Sequence, residues 1–452
     1  MLGADERRWP MMNPAPRAVV FGSGHSALTL ATGLLDDGWR VDVFTRHSTP
    51  EILGNPAGLT QLTLPSVHAT ELALGLGLWQ HTAPPAHQVR MRMTPPEGEA
   101  FAFTAPLPGP AVAVDHRLKS AYWLQHVTNR GGRVHERTCT SGDVAGFASS
   151  RLHDLVVVAP GVDSDLRHLF SPDPDRTGGA TDRVLVQVHL AVPDELLPEQ
   201  VEVLTCPWGE VMVYPVLTVD GLAPSQVRAL SALDAPPVHV TPYAALCVQV
   251  MARTHSPLDP ASAITPQGDD SETGSGLPRR HGAHAQAAWA HVLGQLPALA
   301  PELAGLCAQG RVIPGSELVR EVHPQVRRPV TTIAGTPVVG IGDATMTVEH
   351  ASGQGAGAST WVASTLRDQI RQQRQANGVL DSAFLTGAWE AYWARHGQYT
   401  SAFGGFVSAY WSGVLPEHVL TGFAETVSTP EGAAAWAAGL DDPARMNHLL
   451  TL

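Results

Sequence analysis

The sequence predicts an α/β protein, with a parallel Rossmann-type sheet interrupted by an inserted, mostly antiparallel sheet and followed by C-terminal helices. Three stretches carry the prediction. Residues 18–21 form a short apolar run that gives way, at Gly22-Ser23-Gly24-His25-Ser26-Ala27, to a helical pattern. Residues 155–158 read LVVV and stop at Ala159-Pro160-Gly161, as a buried parallel strand entering a loop does. Residues 338–358, VVGIGDATMTVEHASGQGAGA, end an apolar run in Gly342-Asp343 and then open a helix at Gly353-Gln354-Gly355.

The elements follow in order. Residues 1–16 read as an N-terminal extension. The helix after Gly22 runs through Leu28, Leu30, Ala31, Leu34 and Leu35 to a stop at Gly38, and residues 40–45 alternate as a second strand. This is a βαβ opening with the pattern GxGxx(G/A). Gly22 permits the turn, Gly24 lets backbone approach a pyrophosphate, and the small Ala27 lets helix and sheet close. An acid usually ends the second strand, but this chain has Thr45-Arg46 there. Thr45 can bond a ribose hydroxyl and Arg46 can meet a phosphate; an Arg46 that is merely solvated is an equal reading. Residues 115–130 form a helix with Asp115 as N-cap, ended by Gly131-Gly132. Residues 184–190, 201–205, 210–219 and 244–250 are strand-like and separated by turns, which makes an inserted antiparallel sheet. Residues 256–282 are rich in Pro, Gly, Ser and Asp and read as a flexible loop; helices are expected over 285–296 and 356–375. The resulting division places 17–175 with 332–375 in a discontinuous Rossmann-type domain, 176–331 in a substrate-binding sheet domain, and 376–452 in a C-terminal helical region.

Composition narrows the function classes. With 452 residues the chain can bury a large core in two or more lobes. A net charge of −13 argues against non-specific nucleic-acid binding. Cys139, Cys206, Cys247 and Cys307 lie far apart and read as reduced thiols, not as a disulfide frame or zinc site. His281, His284 and His291 lack a supporting carboxylate or cysteine cluster, so no metal is expected. No run approaches the length of a membrane span, and the N-terminus lacks the apolar core of a signal peptide. The expectation is a cytoplasmic protein with neither membrane nor nucleic acid as partner.

Strand, acid and glycine-rich helix start form an arrangement that can clamp a flavin. Asp343, at the bend made by Gly342, can accept hydrogen bonds from ribityl hydroxyls, although an acid there also suits a helix N-cap. The amides of Gly353, Gln354, Gly355 and Ala356, with the positive helix end, can face the electron-rich pyrimidine edge.

With these segments in order, the chain resembles the flavoprotein monooxygenases of the para-hydroxybenzoate hydroxylase fold, and among them the styrene and indole monooxygenases. The match rests on GSGHSA, on Ala113-Val114-Asp115-His116-Arg117-Leu118, on Leu155 through Gly161, and on Gly340-Ile341-Gly342-Asp343 through Gly355, collinear over residues 17–375. Residues 54–79 are similar to the family's loop and following helix. The resemblance implies an FAD-binding Rossmann-type domain in which reduced FAD is a co-substrate delivered by a separate NAD(P)H-dependent flavin reductase. It further implies O2 as second co-substrate, a C4a-hydroperoxyflavin, and epoxidation of a small aromatic alkene or indole. No side-chain acid or base is required, so no catalytic residue is assigned. His25, Ser26 and Ala27 join the glycines of the fingerprint at the cofactor, and Arg117 approaches the FAD phosphate or the flavin edge, unless it is a surface ion pair. Thr60 and Gln61 lie beside the flavin, and Val211, Val213 and Pro215 face the substrate if their strand is so turned. Two residues depart from the family: His350 replaces a proline and Gly357 an asparagine. His350 either reaches the oxygen-reaction pocket or turns outward. The loop after residue 158 lacks the Asp-Gly motif of single-component hydroxylases, which favours delivered flavin. A single-component NAD(P)H-dependent aromatic hydroxylase and a flavin-binding protein without turnover are the alternatives, and a homodimer is compatible with all three.

Overall fold

Arg17–Phe21 pairs in parallel with Arg40–Thr45 on one side and Leu155–Val158 on the other, the order a βαβ unit requires. The computed structural model describes residues 15–95, 99–178, 183–232, 238–264, 282–412 and 414–446. Arg133–Glu136 extends the sheet beyond Arg40–Thr45, and the hairpin Val330–Ile333/Thr336–Gly340 extends it beyond Leu155–Val158. The result is six-stranded, and the hairpin supplies its antiparallel edge. Leu155–Val158 is buried throughout because both faces are covered. His25–Asp36, Gly355–Gln375 and Ser382–Tyr392 pack on one side, and Ser141–Ser150 packs on the other.

The second sheet has nine strands. Its centre is Arg183–Ala191, Tyr243–Arg253, Gly209–Thr218 and Val201–Cys206, all antiparallel, so the expected inserted sheet is present. Beyond Val201–Cys206 come Pro85–Met93, which runs parallel to it, then Phe101–Ala113 and Leu62–Thr63. Residues 62–113, inside the 17–175 expected for the Rossmann-type domain, thus give their strands to the second sheet. Phe101–Ala113, FAFTAPLPGPAVA, is hard to read as a strand because of its prolines. It tolerates them because Leu62–Thr63 pairs only with Val112 and Ala113, leaving the proline stretch at an open edge.

Both faces of the large sheet are covered. Ala283–Leu299 and Pro301–Gln309 bury Trp289, Val292, Leu296 and Leu303 against one face. Gln398–Ser412, Glu417–Val427 and Pro430–Asp441 bring Phe403, Phe423 and Trp436 to the other. The expected N-terminal extension and the loop at 256–282 fall largely outside the described residues. Among the described residues no helix is long and apolar enough to cross a membrane.

Candidate functional site

The fingerprint turn is built as its glycines predict. Gly22 has φ +126°, and a Cβ there would lie 2.1 Å from the Ala159 carbonyl oxygen. No other residue fits between the two strand ends. Gly24 caps His25–Asp36 with no side chain bonded to the open amides, and nothing lies within 4 Å of where its Cβ would be. Ala27 is wholly buried in the core. Thr45 is buried, its hydroxyl 2.8 Å from that of Ser23, so the second strand's last residue braces the turn; Arg46 is exposed beside it.

The clamp segment meets this turn. Gly342 has φ +62°, and its missing Cβ would lie 2.3 Å from Ser26 Oγ. Asp343 follows, half-buried in the turn Gly342–Ala344. Gly353, at φ +68° with open space around it, precedes the helix Gly355–Gln375, whose first turn again has no side-chain cap. The Gln354 side chain is drawn away, donating to the Leu440 carbonyl at 2.9 Å, and Ala356 is buried. Gly355 touches Gln61, for a Cβ there would be 2.6 Å from Gln61 Nε2. The structure thus brings Thr60-Gln61 and the glycine turn together.

Thr60 is fixed by the large sheet. Its amide donates to Gln187 Oε1 at 2.8 Å, its hydroxyl is 2.8 Å from His189 Nε2, and its carbonyl accepts from Gln249 Nε2 at 2.6 Å and Tyr214 Oη at 3.1 Å. Behind His189, Thr218 bridges to Asp115 through bonds of 2.9 and 2.8 Å. Burial opposes the charge on Asp115, but Arg117 and His189 outweigh it and hold the carboxyl well below the usual range.

Arg117 requires correction. It is buried at 2% exposure, paired with Asp115 at 2.8 Å and donating to the Val219 carbonyl at 2.9 Å. It is therefore not a surface ion pair, and its Nη1, without a partner among the described residues, lies beside Gly221 and Gly315. The helix His116–Asn129 instead turns His116, Lys119, Ser120 and Trp123 toward a small pocket that also holds His25 and Gln61. That spacing is one helical stripe, and Arg117 lies off it. Lys119 bonds Glu71 at 2.6 Å and Thr63 at 2.8 Å. His25 is drawn inward, with Nε2 at 2.8 Å from Thr360 Oγ1 and 3.5 Å from Glu71. Burial pushes its imidazole well below the ordinary value, helped by Lys119 and His116, so it stands neutral. Burial raises the Glu71 carboxyl against the pull of Lys119. Nothing local in the sequence marks Glu71, whereas the stripe at 116, 119, 120 and 123 marks Lys119.

On the other side of the glycine turn lies a cavity of about 860 Å³, its open mouth included. Met91, Met212 and Val203 of the sheet, Phe403, Phe406 and Trp436 of the C-terminal helices, and the loop Ala351-Ser352-Gly353 contribute to its walls. Val211 and Val213 do not face it. They belong to the opposite face and pack against Trp289 and Val292, and alternation puts Pro215 on their side. The one-residue offset leaves Glu210 and Met212 facing the cavity. His350 is half-buried and outside the lining, although the next three residues belong to it. Gly357 sits on the Gly355 helix, with Trp361 Nε1 3.4 Å from where its Cβ would be. Among the described residues no group of three or more His, Cys, Asp or Glu could hold a metal.

No protein-family profile matches the sequence, and no curated protein matches it. Solved structures match over nearly the whole chain at low identity. The flavin-dependent halogenase CmlS superposes with a TM-score of 0.60 at 13% identity, covering 90% of this chain and 66% of the halogenase, so the chain spans about two thirds of its length. A flavoprotein/dehydrogenase from Cytophaga hutchinsonii gives 0.61 at 11% identity, covering 96% of each chain. The tetrameric form of 2-methyl-3-hydroxypyridine-5-carboxylic acid oxygenase gives 0.53 at 17% identity, covering 96% of this chain and 98% of the oxygenase. The chain therefore has the mixed α/β fold shared by flavin-dependent halogenases and hydroxylases. Fold alone does not assign chemistry.

Proposed function

We propose that this protein is a flavin-dependent monooxygenase that uses reduced FAD supplied by a separate reductase, with O2, to epoxidise a small aromatic alkene or indole. One observation carries the reading: the wall of the apolar cavity includes Ala351-Ser352-Gly353, the residues that lead into the uncapped helix start at Gly355. Two uncapped helix starts, at Gly24 and Gln354, lie on helices that pack together, and Gly24 and Gly353 both leave open space beside backbone. These features suit FAD, with a pyrophosphate at Gly24 and a ring edge at Gly353 to Ala356.

Reduced flavin, when bound, would supply the activation of dioxygen. The chain's part is to bind, orient and keep water out. Asp343 would accept from the ribityl hydroxyls, and the Thr60 network would hold Gln61 against Gly355. The aromatic and methionine walls would hold the substrate at the end of the cavity nearest Gly353 and exclude water from it. The departure from Asp-Gly after Val158 supports delivery of flavin already reduced.

Mixing the protein with chemically reduced FAD, O2 and an aromatic alkene or indole, with no NAD(P)H present, tests this. Oxygenated product is expected. Rapid NAD(P)H oxidation by the protein alone would instead favour a single-component hydroxylase. Flavin reoxidation to hydrogen peroxide without product, across several aromatics, would leave only flavin binding.

A further inference from the structure

The cavity is apolar along most of its wall, and its exceptions are Thr205, Glu210, Ser352 and the Tyr410 hydroxyl. The Ser352 hydroxyl is bonded to the Glu349 carbonyl. Thr205 and Glu210 are direct partners across the strands Val201–Cys206 and Gly209–Thr218, so both reach the same place on the wall. Glu210 is buried at 2% and Thr205 at 6% exposure. One carboxylate oxygen, Oε2, pairs with the buried Arg183, which also stands 3.8 Å from Glu349. The other, Glu210 Oε1, has no hydrogen-bond partner among the described residues, and neither does Thr205 Oγ1. A buried acceptor left unpaired costs roughly 1–3 kcal/mol, more when charged. Arg183 Nε and Nη2 likewise have no hydrogen-bond partner among the described residues, so the pair is matched through one atom of each, and Oε1 is the acceptor it leaves over beside the apolar cavity.

We propose that Glu210 and Thr205 form a polar subsite that recognises the N–H or O–H donor of an otherwise apolar arene. The donor bonds Glu210 Oε1, and the Thr205 hydroxyl completes the pair by donating to, or accepting from, the same group. This deepens the function proposed above and rests on that reading of the cavity as the substrate site. It narrows the substrate from any small aromatic to one bearing a single hydrogen-bond donor, because an arene without one leaves both groups buried and unpaired.

Calorimetric binding of 2-naphthol and of 2-fluoronaphthalene, near-isosteric but lacking the donor, tests the proposal on the full chain without flavin. The naphthol is expected to bind about tenfold or more tighter, the effect of one hydrogen bond to a charged group. In Glu210→Gln the amide oxygen stays on Arg183 and the NH2 group turns to the cavity. The amide can still donate to the naphthol oxygen but the charge-assisted bond is gone, so the preference should fall severalfold while 2-fluoronaphthalene binds as before. Thr205→Val, which swaps a hydroxyl for a methyl, should cut the preference severalfold and carries the test if Glu210→Gln does not fold. Equal affinity for the two arenes, a preference unchanged in the variants, or binding of neither would overturn the proposal. Flavin and O2 take no part, so this measurement can fail while oxygenation succeeds, and the reverse.

Discussion

Gly22 and Gly24 lie two positions apart in one turn, yet the structure gives them opposite roles, and alanine at each separates folding from cofactor binding. At Gly22 a Cβ would stand 2.1 Å from the Ala159 oxygen, at φ +126°. The backbone strain costs about 1–3 kcal/mol, and parting the turn from the strand end costs about as much again. Gly22→Ala should therefore lose roughly 2–6 kcal/mol, a large part of the ~5–15 kcal/mol that holds a typical domain folded. At Gly24, φ is −79° and nothing lies within 4 Å of the added carbon. Gly24→Ala should cost no more than about 1 kcal/mol, for the poorer helix cap. Its methyl stands where a pyrophosphate would meet the open amides, so affinity for FAD should fall at least about tenfold, or ~1.4 kcal/mol. Urea unfolding reads the first quantity, and FAD fluorescence titration of each folded variant reads the second. Wild-type flavin affinity in Gly24→Ala would refute the placement of the pyrophosphate, and wild-type stability in Gly22→Ala would refute the packing argument.

Further expectations follow from the cavity, the sheet and the buried histidine. Met212→Trp should block the cavity and raise KM for an aromatic substrate at least about tenfold, while Val211→Ala, on the other face, should cost roughly 1–3 kcal/mol of stability and leave KM alone; the reverse pattern would show that the strand faces are misread. Gln249→Leu removes the bonds to the Thr60 carbonyl and to Gln187. It should cost about 1–3 kcal/mol by denaturant titration and also weaken flavin binding, because Gln61 is positioned through Thr60; a loss of stability without a change in flavin affinity would break that link. His25 has a lowered folded pKa, so the unfolded chain binds the extra proton, and its contribution to stability is full above about pH 6.5 and is lost as pH falls below that. Glu71, with a raised pKa, acts oppositely, costing stability as pH rises through about 4.5 and above. His25→Thr should accordingly flatten the fall in melting temperature below pH 6.5, and an unchanged slope would count against the buried neutral imidazole.

Much of the first sheet was legible because its signals are local. The strand at residues 40–45, the Asp115 cap, the LVVV strand and the helix ahead of Gln375 each follow from spacing, capping and glycine chemistry within a short window. What escaped depended on partners distant in sequence. Val211 and Met212 sit on opposite faces of one strand, and only the packing of Trp289 and Val292 against one face decides which looks into the cavity. Arg117 falls inside a matching motif, but Asp115 and Val219 claim its Nε and Nη2. Phe101–Ala113 hid as a strand because its prolines are tolerable only at an edge, and edges are a property of the assembled sheet. The pairing of Glu210 with Thr205 was invisible for the same reason, since cross-strand register sets it.

In the proposed function the two uncapped helix starts and the apolar cavity beside them use reduced flavin to put oxygen on an aromatic substrate. The direct test mixes the protein, chemically reduced FAD and isotopically labelled dioxygen with an aromatic alkene or indole in the absence of NAD(P)H, and weighs the product by mass spectrometry. One labelled oxygen atom in the product, with formation lost in Met212→Trp, is the predicted result. Complete return of the labelled oxygen as hydrogen peroxide, with the aromatic compound unchanged, would contradict it.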